Sequence, residues 1–153
     1  MKNENIKNYE GVSLMVQNVV VNYWAVLLAA IVSMVIGFLW YSPWLFGKTW
    51  MKLSGLTDQK LKAMKQKGMT TAYVLMFIGS LVSSLILAYI IAYAEVTTVL
   101  GGAAIGLMTW LGFVATTSLG MVLWEGKPVG LYLLNNGHSV VMAIITGGIL
   151  AAL

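Results

Sequence analysis

His138 is the one histidine of this 153-residue chain, and it lies within a long apolar stretch. The stretch begins near Val129, so on a helix His138 lies about nine residues, or roughly 13 Å, from its start. That depth is close to the middle of a membrane, where an ionisable side chain is costly and is a candidate functional residue. Because histidine titrates near physiological pH, one interpretation is a proton- or cation-responsive site that lines a cavity.

Polar residues accompany His138 along the same stretch. Asn135, His138, Met142 and Thr146 are spaced by three, four and four residues, so a helix places them on one face. Asn136 is adjacent in sequence. We therefore take His138, Asn135, Asn136 and Thr146 as the candidate pore or proton-responsive residues.

A structural role for His138 is the alternative. A neutral imidazole can tie two helices together by a hydrogen bond of about 0.6 kcal/mol, as is typical of polar contacts between membrane helices. The preceding apolar segment offers four hydroxyl groups as partners: Thr109, Thr116, Thr117 and Ser118.

Other chemistry finds little support in the residue types. Cysteine is absent, so thiolate nucleophiles, thiolate metal ligands and disulfides are excluded. No Asp or Glu lies within the apolar segments to orient His138 or to complete a metal site. We expect no catalytic residues, no metal and no cofactor, and we do not expect an enzyme.

The helices that position these residues follow from the charges. Only 14 side chains are charged, and 59% of the residues are hydrophobic. The charges leave four uncharged runs, each long enough for one membrane span of about 20 residues. The spans are predicted at about 24–41, 71–94, 99–124 and 129–152. This pattern excludes a soluble domain and a nucleic-acid-binding domain. It predicts an all-α membrane protein with four transmembrane helices in two antiparallel hairpins, within one membrane domain over residues 23–153.

The lysines predict the orientation. Six lie in the first connection, residues 42–70, and Lys127 lies in the third. Residues 1–22 hold only two lysines, each matched by a glutamate. Under the positive-inside rule both odd connections are cytoplasmic. The termini, including a lead-in over residues 1–22, are then extracytoplasmic in a multi-pass plasma-membrane protein.

The first connection combines basic and apolar residues. Thr57 is suited to begin a helix and Gly68 to end one. The lysines expected to face lipid headgroups are Lys60, Lys62, Lys65 and Lys67. The pattern fits a short amphipathic helix on anionic lipid, with a solvated charged loop as the alternative.

Aromatic and small residues give two further signals. Aromatic rings favour the membrane interface, and the predicted anchors are Trp40, Tyr41, Trp44, Trp50 and Trp124. Small residues allow helices to approach closely, and the predicted packing positions in the third span are Gly102, Gly106, Gly112, Thr116 and Gly120. We therefore expect the third span to be the packing centre, either within one chain or between two copies. The short second connection predicts that spans two and three are neighbours.

Four separated motifs resemble a known family. They are WYSPWLFGKTWM, KGMTTAY, WLGFVATTSLGMVLWEGKP and LYLLNNGHSVVMAIITGGILAAL, beginning at Trp40, Lys67, Trp110 and Leu131. From about Asn22 onward the chain resembles domain of unknown function 1761, a family of small integral membrane proteins. The resemblance implies a membrane location and four spans, and it implies no activity.

Two functional hypotheses follow. In one, the protein is a small homo-oligomeric transporter or channel, and the scarcity of buried charge favours neutral or hydrophobic cargo. In the other, it is a non-transporting accessory or scaffold protein that binds anionic lipid or a partner through the basic aromatic connection, residues 44–67.

Overall fold

The computed structural model describes residues 19–66 and 68–153, and every regular element in those ranges is helical. The helices are α1 (Tyr23–Trp40), α2 (Gly47–Ser54), α3 (Asp58–Gln66), α4 (Thr70–Tyr93), α5 (Val99–Leu123) and α6 (Val129–Ala152). Four of them, α1, α4, α5 and α6, are long and apolar enough to cross a membrane. The prediction of an all-α fold with four helices long and apolar enough to cross a membrane is confirmed, and each of the four begins and ends within about one residue of its predicted bounds.

Local capping explains where two spans begin. The Asn22 side chain accepts hydrogen bonds from the backbone of Trp24 and Ala25 at the start of α1. Thr98 accepts one from the Gly101 amide at the start of α5. Both residues satisfy amides that the first turn of a helix leaves unpaired.

The first connection contains two helices, where the sequence suggested one. Thr57 accepts a hydrogen bond from the Lys60 amide, as expected at the start of α3. The additional helix, α2, ends at Gly55, whose φ of 70° favours glycine. The α2 helix packs on α6, and this long-range contact stabilises a segment whose own sequence gives only a weak helical signal.

Small residues bring α5 and α6 together. A Cβ atom on Gly102 would overlap the Gly147 carbonyl and the Ala151 side chain, and one on Gly106 would overlap the Ala143 carbonyl. The backbones can approach this closely because glycine has no side chain. The two helices are therefore antiparallel: Gly102 lies against Gly147, and Gly106, further along α5, lies against Ala143.

The remaining residues of the predicted stripe point elsewhere. A Cβ atom on Gly112 would meet nothing within 4 Å, and one on Gly120 would meet only the Trp124 ring. Thr116 is exposed. The reason is helical phase, since Gly112 follows Gly106 by six residues and therefore lies about 120° around the helix.

The packing centre is α6 and not α5. The α6 helix contacts α1, α4 and α5, and its pairing with α5 is the most extensive of these contacts. In contrast, α4 and α5 touch only sparsely despite their short connection, so the expectation that they pack as close neighbours was wrong. Small buried residues on α1 and α6 let the helices approach closely. They are Ala25, Ala29, Ala30 and Ser33 of α1 and Gly147 and Gly148 of α6.

The α5 helix is irregular in its middle. A π-helical turn, Leu111–Ala115, interrupts it, and a short α-helical segment and a turn at Leu119 follow. Such a turn breaks the regular pattern of backbone hydrogen bonds and is often found at functional sites. Here the Tyr132 hydroxyl of α6 donates to the Ala115 carbonyl at 3.0 Å.

Candidate functional site

A tight turn after α1 gathers the aromatic part of the site. The Phe46 amide donates to the Trp40 carbonyl at 3.0 Å, and the Gly47 amide donates to the Ser42 carbonyl at 2.9 Å. A side chain at Gly47 would collide with the carbonyls of Tyr41 and Ser42, so only glycine fits this turn.

The turn produces an aromatic cluster of Trp40, Tyr41, Phe46 and Trp50. The Trp40 and Phe46 ring centroids are 4.7 Å apart, and those of Tyr41 and Trp50 are 5.6 Å apart. Three predicted interface anchors therefore pack against other side chains. The other two, Trp44 and Trp124, are 91% and 88% exposed, as an anchor in the interface would be.

His138 faces α1 and this aromatic cluster. Its ring centroid lies 5.1 Å from that of Tyr41 and 5.9 Å from that of Trp40. Gly37 leaves the space for it, because a Cβ atom there would lie 3.5 Å from Nε2 of His138. The alternative of a hydrogen bond from α5 is not seen: the hydroxyls of Thr109, Thr116 and Thr117 donate to carbonyls of their own helix. Ser118 bonds to Asn136 instead.

The neighbouring rings of His138 and Trp40 each contain a buried nitrogen atom that has no hydrogen-bond partner within the described part of the chain. These atoms are Nε2 of His138 and Nε1 of Trp40. A buried polar atom without a partner costs about 1–3 kcal/mol. The pair therefore offers a hydrogen-bond donor and, when the imidazole is neutral, a site for a second hydrogen bond.

Asn135 belongs to the same side of α6. Its Oδ1 accepts a hydrogen bond from the Tyr41 hydroxyl at 3.1 Å. This bond joins residues 94 positions apart in sequence, and it connects the end of α1 to α6. Tyr41 was predicted only as an interface anchor, and no pattern in the sequence indicates that it pairs with Asn135.

Asn136 and Thr146 lie apart from His138. Asn136 faces α5, where its Nδ2 donates to the Ser118 hydroxyl at 3.0 Å, and Trp110 of α5 donates to Ser139 at 2.9 Å nearby. The Thr146 hydroxyl donates to the Met142 carbonyl at 2.8 Å within α6. Of the four predicted site residues, the structure therefore brings only His138 and Asn135 together against α1.

Two grooves open at opposite ends of the interface between α1 and α6, which we call the α1–α6 seam. The larger, of about 950 Å³, is lined by the start of α1 and the ends of α4 and α6, including Asn22, Ala25 and Leu153. The Asn22 amide also donates to the Leu153 carbonyl at 2.9 Å. The smaller groove, of about 400 Å³, lies between α2 and the start of α6, and Trp40 lines it from the end of α1. His138 lies on the seam between them.

The predicted headgroup lysines are described in part. Lys60 and Lys62 of α3 are exposed. Lys65 lies on α3, while its side chain and Lys67 lie outside the described residues. Lys60 and Lys62 do not line either groove.

A family model described as "Protein of unknown function (DUF1761)" matches residues 24–151. The chain belongs to the DUF1761 family. The match confirms the resemblance, and it includes the seam from Trp24 through His138 to Ala151. No curated protein and no solved structure matches the chain. For this DUF1761 protein, the interpretation of the site therefore depends on its own residues.

Proposed function

We propose that this DUF1761 protein is a small membrane transporter whose neutral or hydrophobic cargo moves along the α1–α6 seam. One observation carries the proposal: two grooves open at opposite ends of the same seam, with His138 between them. Open space lies at both ends of this helix pair, and His138 lies near the smaller groove, against Gly37 and Trp40 in the last turn of α1.

The middle of the seam is built so that it can separate. Its α1 side consists of small side chains, including Ala29, Ala30 and Ser33, which lose little packing on opening because they bury little area. The Tyr41–Asn135 hydrogen bond is of a kind that contributes only about 0.6 kcal/mol between membrane helices. The unpaired nitrogens of Trp40 and His138 would bind a polar group of the cargo.

The chemistry of the seam favours uncharged cargo. No lysine, aspartate or glutamate lies within α1, α4, α5 or α6. The chain also contains no arginine, so it lacks the planar guanidinium that usually binds carboxylate or phosphate in two places. Glu95 lines the larger groove, but an ion that moved past it between α1 and α6 would lose its hydration without a fixed opposite charge to replace it.

We further propose that the transporter is a homo-oligomer with two antiparallel hairpins, α1 with α4 and α5 with α6. The outer face of α5 is apolar and exposed, with Leu111 and Phe113 at 55% and 74%. A second copy at this face would shield α5, which within one chain packs mainly on α6.

Flux through vesicles tests the pathway. Glycerol serves as the small neutral solute, followed by light scattering, and a fluorescent phosphatidylcholine serves as the hydrophobic one, followed by chemical quenching. We expect at least one of them to cross vesicles that contain the protein faster than protein-free vesicles. Replacing Gly37 with leucine should lower that flux about tenfold, because a larger side chain would fill the space beside Nε2 of His138.

Gly79→Leu is the matched control, because a Cβ atom at Gly79 on α4 would meet nothing within 4 Å. It should leave the flux unchanged. Failure of both solutes to cross, or equal flux in the two leucine variants, would remove the support for a pathway in the seam.

Orientation is a separate part of the proposal. We propose a plasma-membrane protein with the connection between α1 and α4 in the cytoplasm and both termini outside. Lys62 is exposed on α3, and the chain has no cysteine of its own. A Lys62→Cys variant should therefore react with an impermeant maleimide only after the cells are opened, and labelling of intact cells would reverse the topology.

A second candidate is a non-transporting accessory protein that holds anionic lipid or a partner through residues 44–67, with α3 as an amphipathic helix on the membrane. The observation in its favour is the exposure of Trp44, Lys60 and Lys62 on one connection. Absence of flux, combined with loss of co-purifying anionic lipid after Lys60→Gln and Lys62→Gln, would favour this function over transport.

A further inference from the structure

We infer that the smaller groove binds one anionic phospholipid, with an acyl chain between α2 and α6 and the phosphate between Lys48 and Lys52. The groove measures about 400 Å³. Its lining comes from the end of α1, the turn that follows it, α2 and the first turns of α6: Trp40, Phe46, Thr49, Leu53, Gly130, Leu133 and Leu134.

The shape of the groove follows from the position of α2. The turn at Gly47 leads into α2, which packs on α6, and Leu53 of α2 reaches Gly130 of α6. A Cβ atom at Gly130 would lie 3.4 Å from both methyl groups of Leu53, so glycine leaves the groove open there. Apart from the Thr49 hydroxyl, the side chains that line it are apolar, which suits a hydrocarbon chain.

The charge beside the groove suits a phosphate. Thr49 and Leu53 line the groove, and they are four residues apart on α2. Lys48 and Lys52 directly precede Thr49 and Leu53 and are also four residues apart. Their exposed side chains therefore share one face of α2, about 100° around the helix from the lining residues. An apolar lining, with two exposed lysines on the neighbouring face of the same helix, complements the two parts of an anionic phospholipid.

The location favours lipid over other occupants. Trp40 is the last residue of α1, and Leu133 is in the second turn of α6, so the groove opens at the boundary of the apolar helices. Lipid is present there at high local concentration. This site is separate from Lys60 and Lys62 on α3, and it does not depend on transport along the seam.

Lipid titration of the purified protein tests the site. Binding of dioleoyl phosphatidylglycerol and dioleoyl phosphatidylcholine would be measured by native mass spectrometry. We expect the anionic lipid to bind at least tenfold more tightly. Lys48→Gln with Lys52→Gln should remove this preference, at about fivefold for each lysine, and should leave binding of phosphatidylcholine unchanged.

Two matched pairs of variants locate the lipid. Lys60→Gln with Lys62→Gln removes the same charge from α3 and should keep the preference. Gly130→Leu fills the groove and should weaken both lipids at least tenfold, whereas Gly79→Leu should weaken neither. Thermal unfolding of each variant confirms that it is folded.

Several results would overturn the site. They are equal binding of the two lipids to the unaltered protein, equal loss in the two lysine pairs, or full binding after Gly130→Leu. Glycerol phosphate separates a lipid site from a site for free phosphate: it should not compete at lipid-like concentrations, and competition would show that the groove is not used. A shift from monomer to dimer on Gly130→Leu alone would assign the groove to a second copy.

Discussion

Replacing Gly106 with alanine is expected to lower the free energy of unfolding by about 2–3 kcal/mol, the cost of overpacking a well-filled interface. The added methyl group would overlap the Ala143 carbonyl of α6. A backbone carbonyl cannot turn aside as a side chain can, so α5 and α6 would have to separate. Since this pair makes the most extensive contact in the bundle, the effect should be visible as a lower midpoint in detergent unfolding.

Gly79 and Gly112 provide the controls for this prediction. A Cβ atom at either position would meet nothing within 4 Å, and alanine is favoured over glycine in a helix by up to about 1 kcal/mol. Both alanine variants should therefore unfold at or slightly above the midpoint of the unaltered protein. A Gly106→Ala variant as stable as these would contradict the close approach of α5 and α6.

Replacing His138 with alanine is expected to reduce the flux of the transported solute, glycerol or phosphatidylcholine, at least tenfold and to abolish the dependence of that flux on pH. A protonated imidazole attracts water into an apolar environment far more strongly than a neutral one. Flux through the unaltered protein should therefore rise as the pH is lowered from 8 to 5. Flux through the alanine variant should stay flat over the same range.

The surroundings of His138 make this a specific test. Tyr41 is the titratable side chain that faces it from α1, and α4 and α5 contribute no charged residue. Lys127 lies beyond the start of α6 and is exposed. Tyr41→Phe should keep the pH dependence, because burial raises the pKa of the Tyr41 phenol above its ordinary value, which is already far above this pH range.

Stability separates the functional role of His138 from a structural one. Its Nε2 makes no hydrogen bond to any residue that the structure describes. The His138→Ala substitution therefore removes packing against Trp40 and Tyr41 but breaks no hydrogen bond of Nε2. We expect a loss below about 1.5 kcal/mol. A larger loss of stability with flux and pH dependence intact would assign His138 a structural role.

The extent of the four spans could be predicted from the sequence because it depends on a local property. A backbone in hydrocarbon must satisfy its own hydrogen bonds, so each long uncharged run becomes a helix. The bounds of α1 and α6 follow directly from Asn22, Trp40 and Pro128. The additional helix α2 is different, since its packing on α6 depends on a turn and a long-range contact.

The helix faces that pack against each other could be predicted only in part. Gly102 and Gly106 share a face, and their role in close packing follows from their spacing. Gly112 follows Gly106 by six residues, so it lies on another face of α5, and the spacing of Gly112, Thr116 and Gly120 does not say what that face contacts. The partner of His138 could not be inferred, because Thr and Ser hydroxyls in a helix readily bond to carbonyls of their own helix, as Thr116 does.

The central position of α6 has a consequence for how the bundle is made. Residues leave the ribosome in order, so α1, α4 and α5 enter the membrane before α6 has been synthesised. The first two can already pack on each other, whereas the main packing partner of α5 is the helix that follows it. Assembly of the bundle therefore waits for the last of its four spans, and α5 remains in lipid, with Gly102 and Gly106 uncovered, until α6 is inserted.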